Sequence, residues 1–131
     1  MIHYIDTSAY LKLIIEEPES AALASVVEQG RIAGHRLVSS ILIETELRRA
    51  SYRYEIEPEL IDRELEKLAI ISAADSTFVR AGSFPDMMLR SLDALHLATA
   101  IECGAVGIYT YDQRQAEAAT RVGIAVLAPA P

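Results

Sequence analysis

The sequence predicts an α/β domain: a three-layer sandwich with a central, mainly parallel sheet flanked by helices. Three observations predict it. Short apolar runs alternate with longer amphipathic ones from end to end, the pattern of strands joined by helical crossovers. Hydrophobic residues make up 51% of the chain, and no block of like charge interrupts them, so a packed core is affordable. No repeat, linker or low-complexity segment is visible, which predicts one domain over residues 1–131.

The elements follow in order. "IHYI" (2–5) reads as the first strand and leads through "DTSAYLKLI" into a helix. Pro18 stands at a helix-start position and Gly30 at the far end of "PESAALASVVEQG", matching the preference for proline first and glycine last. "RLVS" (36–39) is the second strand. "SSILIETELRRASYRY" (39–54) has helical spacing, with Ile43, Leu47, Ala50 and Tyr54 on one face. Pro58 opens the helix "PELIDRELEKL", and "AIISA" (69–73) is the third strand. "DSTFVRAGSF" predicts a short helix closed by Gly82 and Pro85. From Asp93 to about Cys103 runs a helix that is apolar nearly all round, so it should be buried. "GIYTY" (107–111) is the fourth strand, "DQRQAEAATRVG" a helix and "IAVLA" (124–128) the last strand.

Charge narrows the function. With 12 basic and 19 acidic residues the formal net charge is −7, which disfavours nucleic-acid binding unless something neutralises the acids. Cys103 is the one cysteine, so no disulfide forms within the chain, which suits a reducing compartment. No apolar run approaches the roughly 18 residues of a membrane span. The N-terminal "MIHYIDTSAYLKLIIEEP" carries acids where a secretion signal needs an unbroken apolar stretch. The expected location is the cytoplasm.

Four carboxylates stand at similar places. Asp6 follows the first strand run and Asp112 the fourth. Ligands of parallel sheets gather outside the carboxyl ends of the strands, so both belong on one edge. Asp93 heads the buried helix. Glu46 has Leu42, Ile43 and Ala50 at i−4, i−3 and i+4 and so flanks a buried stripe, whereas Glu44 has Arg48 at i+4, an ordinary exposed pair. Each acid also has a plain explanation. Asp6 could cap the first helix. Asp112 and Gln115 fit a capping box. Ser91 could cap the helix in which Asp93 occupies a favoured first-turn position. Glu46 could reach past the stripe to water. Taken together, acids converging on one edge repel, and either raised pKa values or a cation must relieve them. All-oxygen ligands favour Mg²⁺, with Mn²⁺ as the alternative.

The blocks "MIHYIDTSAYLKLIIEEPES", "VSSILIETELRRA", "LRSLDALHLATA" and "YTYDQRQAEAA" resemble, in order and spacing, the four acidic blocks of PIN-domain ribonucleases, above all the VapC-like toxins of type II toxin–antitoxin systems. The resemblance implies a Mg²⁺-dependent endoribonuclease that hydrolyses phosphodiester bonds of structured RNA, such as transfer or ribosomal RNA, with water activated by the metal. It implies Asp6, Glu46, Asp93 and Asp112 as the catalytic acids, with Asp6 and Asp93 most directly on the metal, and Ser8 and Thr110 as supporting hydroxyls. It further implies a small VapB-like antitoxin as partner and a homodimer, with "AYLKLII" and "AALASVV" as candidate docking stretches. Some members of that family carry a further acid shortly after the last aspartate, whereas here nothing acidic follows Asp112 until Glu117, so one metal site is expected and a second is left open.

Arg49 and Arg90 are candidates for gripping phosphate; solvated surface arginines are the plainer alternative. His96 lies in the apolar helix and is expected to pack or bond locally rather than act as a base. Two other functions compete: another metal-dependent phosphate hydrolase, such as one with an aspartyl nucleophile, or a catalytically silent interaction module in which the acids are only caps.

Overall fold

The structure, a computed structural model, describes all 131 residues. Its elements are β1 (Ile2–Ile5), α1 (Thr7–Lys12), α2 (Ser20–Ile32), β2 (Arg36–Ser40), α3 (Leu42–Tyr54), α4 (Pro58–Leu65), β3 (Ala69–Ile71), α5 (Asp75–Gly82), α6 (Ser91–Glu102), β4 (Gly107–Tyr109), α7 (Gln113–Arg121) and β5 (Ala125–Leu127). The five strands form one sheet in the order β3-β2-β1-β4-β5, and every pairing is parallel. The α/β sandwich that the alternation predicts is therefore the fold observed.

Successive strand side chains point to opposite faces, and on β1 both faces are covered. Ile5 joins Leu23, Ile43, Leu47 and Ile61 on the face of α1–α4. Tyr4 joins Leu97, Ile108, Ala118 and Ala119 on the face of α6 and α7. Double burial is why these strands read as short apolar runs without alternation. α6 buries Ala94 through Ala100 without interruption, as its all-round apolar sequence requires. No helix is long and apolar enough to cross a membrane.

The strand order positions the site. After β1 the chain builds outward through β2 to β3; after β4 it builds the other way, to β5. β1 and β4 are neighbours in the middle, paired Tyr4 to Ile108 and Ile5 to Tyr109. The helices leaving their carboxyl ends diverge, α1 to one face and α7 to the other. A crevice opens between them at the switch point, where ligands of such sheets bind.

Several boundaries differ from expectation. Helix α2 begins at Ser20, not at Pro18, and Gly30 lies inside it. Gly34, at φ +90°, is the glycine that lets the chain turn back into β2. Ser39 and Ser40 belong to β2, so α3 starts only at Leu42. β3, β4 and β5 are three residues each, shorter than the runs suggest. Ser91 is the first residue of α6 rather than its cap; that position belongs to Arg90 and has no side-chain cap bond.

Arg48 donates to Glu44 at 2.9 Å and to Asp62 of α4 at 2.7 Å, tying α3 to α4 at the surface. Burial outweighs such pairs: exposed ion pairs contribute about 0–1 kcal/mol, whereas truncating a buried leucine costs about 2–5 kcal/mol. Leu97→Ala is therefore expected to lower unfolding free energy by about 2–5 kcal/mol and Arg48→Ala by less than about 1 kcal/mol. Urea denaturation monitored by circular dichroism measures both.

Candidate active site

Asp6 is the residue after β1, and its backbone N–H donates to Tyr109 O at 3.1 Å, pinning it to the end of β4. It is the N-cap of α1 and only 2% exposed. Its Oδ1 accepts from Ser8 Oγ at 2.7 Å and from Ala9 N at 3.0 Å, and its Oδ2 accepts from Thr110 Oγ1. Both expected hydroxyls thus hold this carboxylate. Three acceptor positions of about four are filled, which orients the group and leaves little freedom. Burial raises the Asp6 pKa above its ordinary value, although the bonds from Ser8, Thr110 and Ala9 oppose the shift.

Thr110 also accepts from Asp112 N at 3.2 Å, so one hydroxyl joins two acids. β4 ends at Tyr109, and Asp112 stands two residues further on as the N-cap of α7, accepting from Gln115 N at 3.0 Å. Only half of the expected capping box forms. Thr110 has taken the Asp112 N–H, and the Gln115 amide is buried without a partner.

Asp93 lies in the first turn of α6. Its pKa is raised to about 6, by burial first and then by the charges of Asp112 and Asp6, with a smaller push from Glu46. Glu46, in the second turn of α3, is half-buried; its Oε1 accepts from Thr7 Oγ1 at 2.8 Å and lies 2.6 Å from His96 Nε2. Burial works to raise its pKa, but the hydrogen bond and the charge of His96, with the Thr7 hydroxyl behind them, outweigh it and leave Glu46 below its ordinary value. All four predicted acids therefore meet at the carboxyl end of the sheet: Thr110 links Asp6 to Asp112, Thr7 links the Asp6 segment to Glu46, and Asp93 feels the other three charges.

Two members of this network carried no clear sequence signal. Thr7 passes for an ordinary first-turn helix residue. His96 bonds across the fold, to Tyr4 and Glu46, residues 92 and 50 positions away, where local bonding was expected. It is 1% exposed with both nitrogens engaged, so it is no free base. The one available clue was its spacing: His96 lies one turn after Asp93, on the same side of the helix. Arg49 and Arg90 are exposed and make no ion pair, whereas Arg48 is occupied by Glu44 and Asp62.

Nowhere do three His, Cys, Asp or Glu side chains already stand as a closed metal cage. The donor set still fits a hard divalent cation. It is all oxygen, its charges act on one another, and Asp93 is lifted toward neutrality by burial first and by those charges second. The same shift sets a pH dependence. A carboxyl whose folded pKa of about 6 exceeds its unfolded value of about 4 costs stability where it is ionised, and the cost fades as pH falls through that interval. Asp93→Asn is expected to raise the melting temperature of metal-free protein at about pH 7.5, by an amount that shrinks toward about pH 4.5. Thermal melts in chelator across that range check it.

Comparison with known proteins agrees with this geometry. The family model for the PIN domain matches residues 3–121. Ribonuclease VapC35 of Mycobacterium tuberculosis is 40% identical over 135 residues, covering 96% of this chain and 96% of the relative. Ribonuclease VapC46 of the same organism is 38% identical over 129 residues, with the same coverage of both. Among solved structures, VapBC-1 from nontypeable Haemophilus influenzae matches with a TM-score of 0.74 at 18% identity over 97% of each chain, a likeness of fold. A sheet switch point ringed by four acids, in a chain that aligns almost end to end with VapC ribonucleases, belongs to the PIN-domain family.

Proposed function

We propose that the chain is a Mg²⁺-dependent endoribonuclease, the toxin of a type II toxin–antitoxin pair, acting on structured RNA such as transfer or ribosomal RNA. Its VapC relatives are named ribonucleases, and Mycobacterium tuberculosis VapC20, a fold neighbour with a TM-score of 0.72 at 12% identity, is described as a toxin that cleaves the sarcin–ricin loop. The observation that carries the reading is the gathering of Asp6, Glu46, Asp93 and Asp112 at one crevice with Asp93 lifted to about 6 by burial and its neighbours.

Asp6 and Asp93 would hold the cation, and Glu46 and Asp112 would complete the pocket. When bound, such a cation acidifies water and offsets the charge that develops on a phosphodiester and its departing oxygen. The protein's own work is positioning. Ser8, Thr110 and the Ala9 N–H fix the Asp6 carboxylate. α6 presents Asp93 on a rigid, buried mount. Arg49 and Arg90 carry free guanidinium groups suited to phosphate.

A cavity of about 490 Å³ on the face of α1–α4 supports a VapB-like partner. Its floor includes Tyr10, Leu13, Val27 and Leu37, drawn in part from the two candidate stretches, and its rim carries charge, which suits an amphipathic peptide. The solved neighbours from Haemophilus influenzae and Rickettsia felis are VapBC assemblies, the latter bound to promoter DNA.

Purified protein is expected to cleave RNA with Mg²⁺ or Mn²⁺ and not in chelator, and Asp6→Asn and Asp93→Asn to lose at least about a hundredfold in rate while folding normally. Undiminished cleavage by Asp93→Asn would defeat the assignment. The metal should raise the melting temperature of the wild type and leave both variants nearly unmoved. Co-expression with the adjacent small reading frame should restore growth that the toxin alone arrests.

A further inference from the structure

Resting on the nuclease reading above, we propose that His96 is a positioning residue: with Tyr4 behind it, it locks the Glu46 carboxylate into the acidic pocket by a one-way relay of hydrogen bonds. Nothing in the four-acid scheme calls for a buried histidine, yet this one is 1% exposed and uses both ring nitrogens on partners from other elements. Nδ1 lies 2.5 Å from the Tyr4 hydroxyl and Nε2 lies 2.6 Å from Glu46 Oε1. Tyr4, itself 0% exposed, has its hydroxyl oxygen occupied by the Ser40 N–H at 3.0 Å.

The direction of the relay follows from this inventory. A backbone N–H can only donate, so the Tyr4 oxygen accepts from Ser40. Burial holds the Tyr4 proton in place by raising its pKa. That proton points to His96 Nδ1, which accepts it. The ring hydrogen is then on Nε2 and is donated to Glu46. The partner on one ring nitrogen thus selects what the other does, and bonds aligned head to tail in a dry interior reinforce one another.

The consequence lies at Glu46. Its Oε1 accepts from both His96 and Thr7, while its Oε2 takes no hydrogen bond from the protein. One oxygen is anchored and the other is left open. The relay also crosses the molecule: Glu46 belongs to α3 on one face of the sheet, and His96 to α6 on the other, so the bond bridges the two helical layers at the crevice. Because Asp93 and His96 are one helical turn apart, α6 supplies one acid directly and aims a second from across the site.

Two arms test this on the full chain. ¹⁵N NMR of the histidine rings at neutral pH should show His96 with Nε2 protonated and Nδ1 bare, and Tyr4→Phe should lose that single tautomer. Protonation of both nitrogens, or of Nδ1 alone, overturns the relay. In RNA cleavage, His96→Leu should lower kcat about 10- to 100-fold with KM little changed, and His96→Gln, which keeps a donor within reach of Glu46, should recover part of it. In a Glu46→Gln background His96→Leu should cost almost nothing more, since it acts through that carboxylate. Independent, multiplying losses, or a loss that tracks only the fall in melting temperature, overturn it. A wild type that cleaves no RNA with any metal defeats the nuclease reading instead. Mn²⁺ affinity then carries the second arm, with a drop of about tenfold expected for His96→Leu and an unchanged affinity overturning the proposal.

Discussion

Like charges do not stay together unless something holds them, and the acidic crevice depends on how that is done. Asp93 experiences Asp112, Asp6 and Glu46 at once and is driven toward neutrality. The protein does not relieve this with lysine or arginine set among the acids. It uses hydrogen-bond donors instead: Ser8, Thr110 and a backbone N–H on Asp6, Thr7 and His96 on Glu46, and a backbone N–H on Asp112. Hydroxyl and backbone donors orient a carboxylate without cancelling its charge, so the pocket keeps a negative potential. Groups that would pair fully with the acids would make the apo protein more comfortable and the site less able to take a metal.

The rest of the architecture exists to deliver those donors. Because β1 and β4 are neighbours and the chain turns opposite ways after each, Asp6 and Asp112 arrive side by side while their helices depart to different faces. α6 is buried along nearly its whole length, which makes it a stiff mount for Asp93 and His96. α3 carries Glu46 on the flank of its buried stripe, with Ile43 and Leu47 fully covered. Packing sets the positions, and a handful of hydroxyls sets the angles. The net charge of −7, which argues against nucleic-acid binding for the bare chain, is in part the charge of this pocket, the part a divalent ion would offset.

Capping a helix and facing the crevice turn out not to be alternatives. Asp6 caps α1 and Asp112 caps α7, as the plain explanations hold, and both still face the crevice. A residue just past a strand end and just before a helix is well placed for both duties, because the same geometry exposes helix N–H groups and opens onto the sheet edge. Only Gln115 departs from the simple cap: its side chain lies buried and unpartnered because Thr110 has satisfied the N–H it would have reached.

Element order, the parallel sheet, the burial of the 93–103 helix and the four acids were all legible in the chain, because apolar periodicity is local and an acid after a strand run stands out. Helix limits were less so: Gly30 looks like a terminator, yet it sits inside α2, and Gly34 makes the turn. The partners of the acids were legible only when close in sequence. Ser8 lies two residues from Asp6 and Thr110 two from Asp112, whereas the bonds from Thr110 to Asp6, from Tyr4 to His96 and from His96 to Glu46 span 104, 92 and 50 positions. Local pattern determined which elements form and which carboxylates end them. Which hydroxyl or ring meets which carboxylate was decided only by the docking of one helical layer against the other across the sheet, since a hydrogen bond depends on distance in space, and distance in space between remote segments is a property of the packed whole.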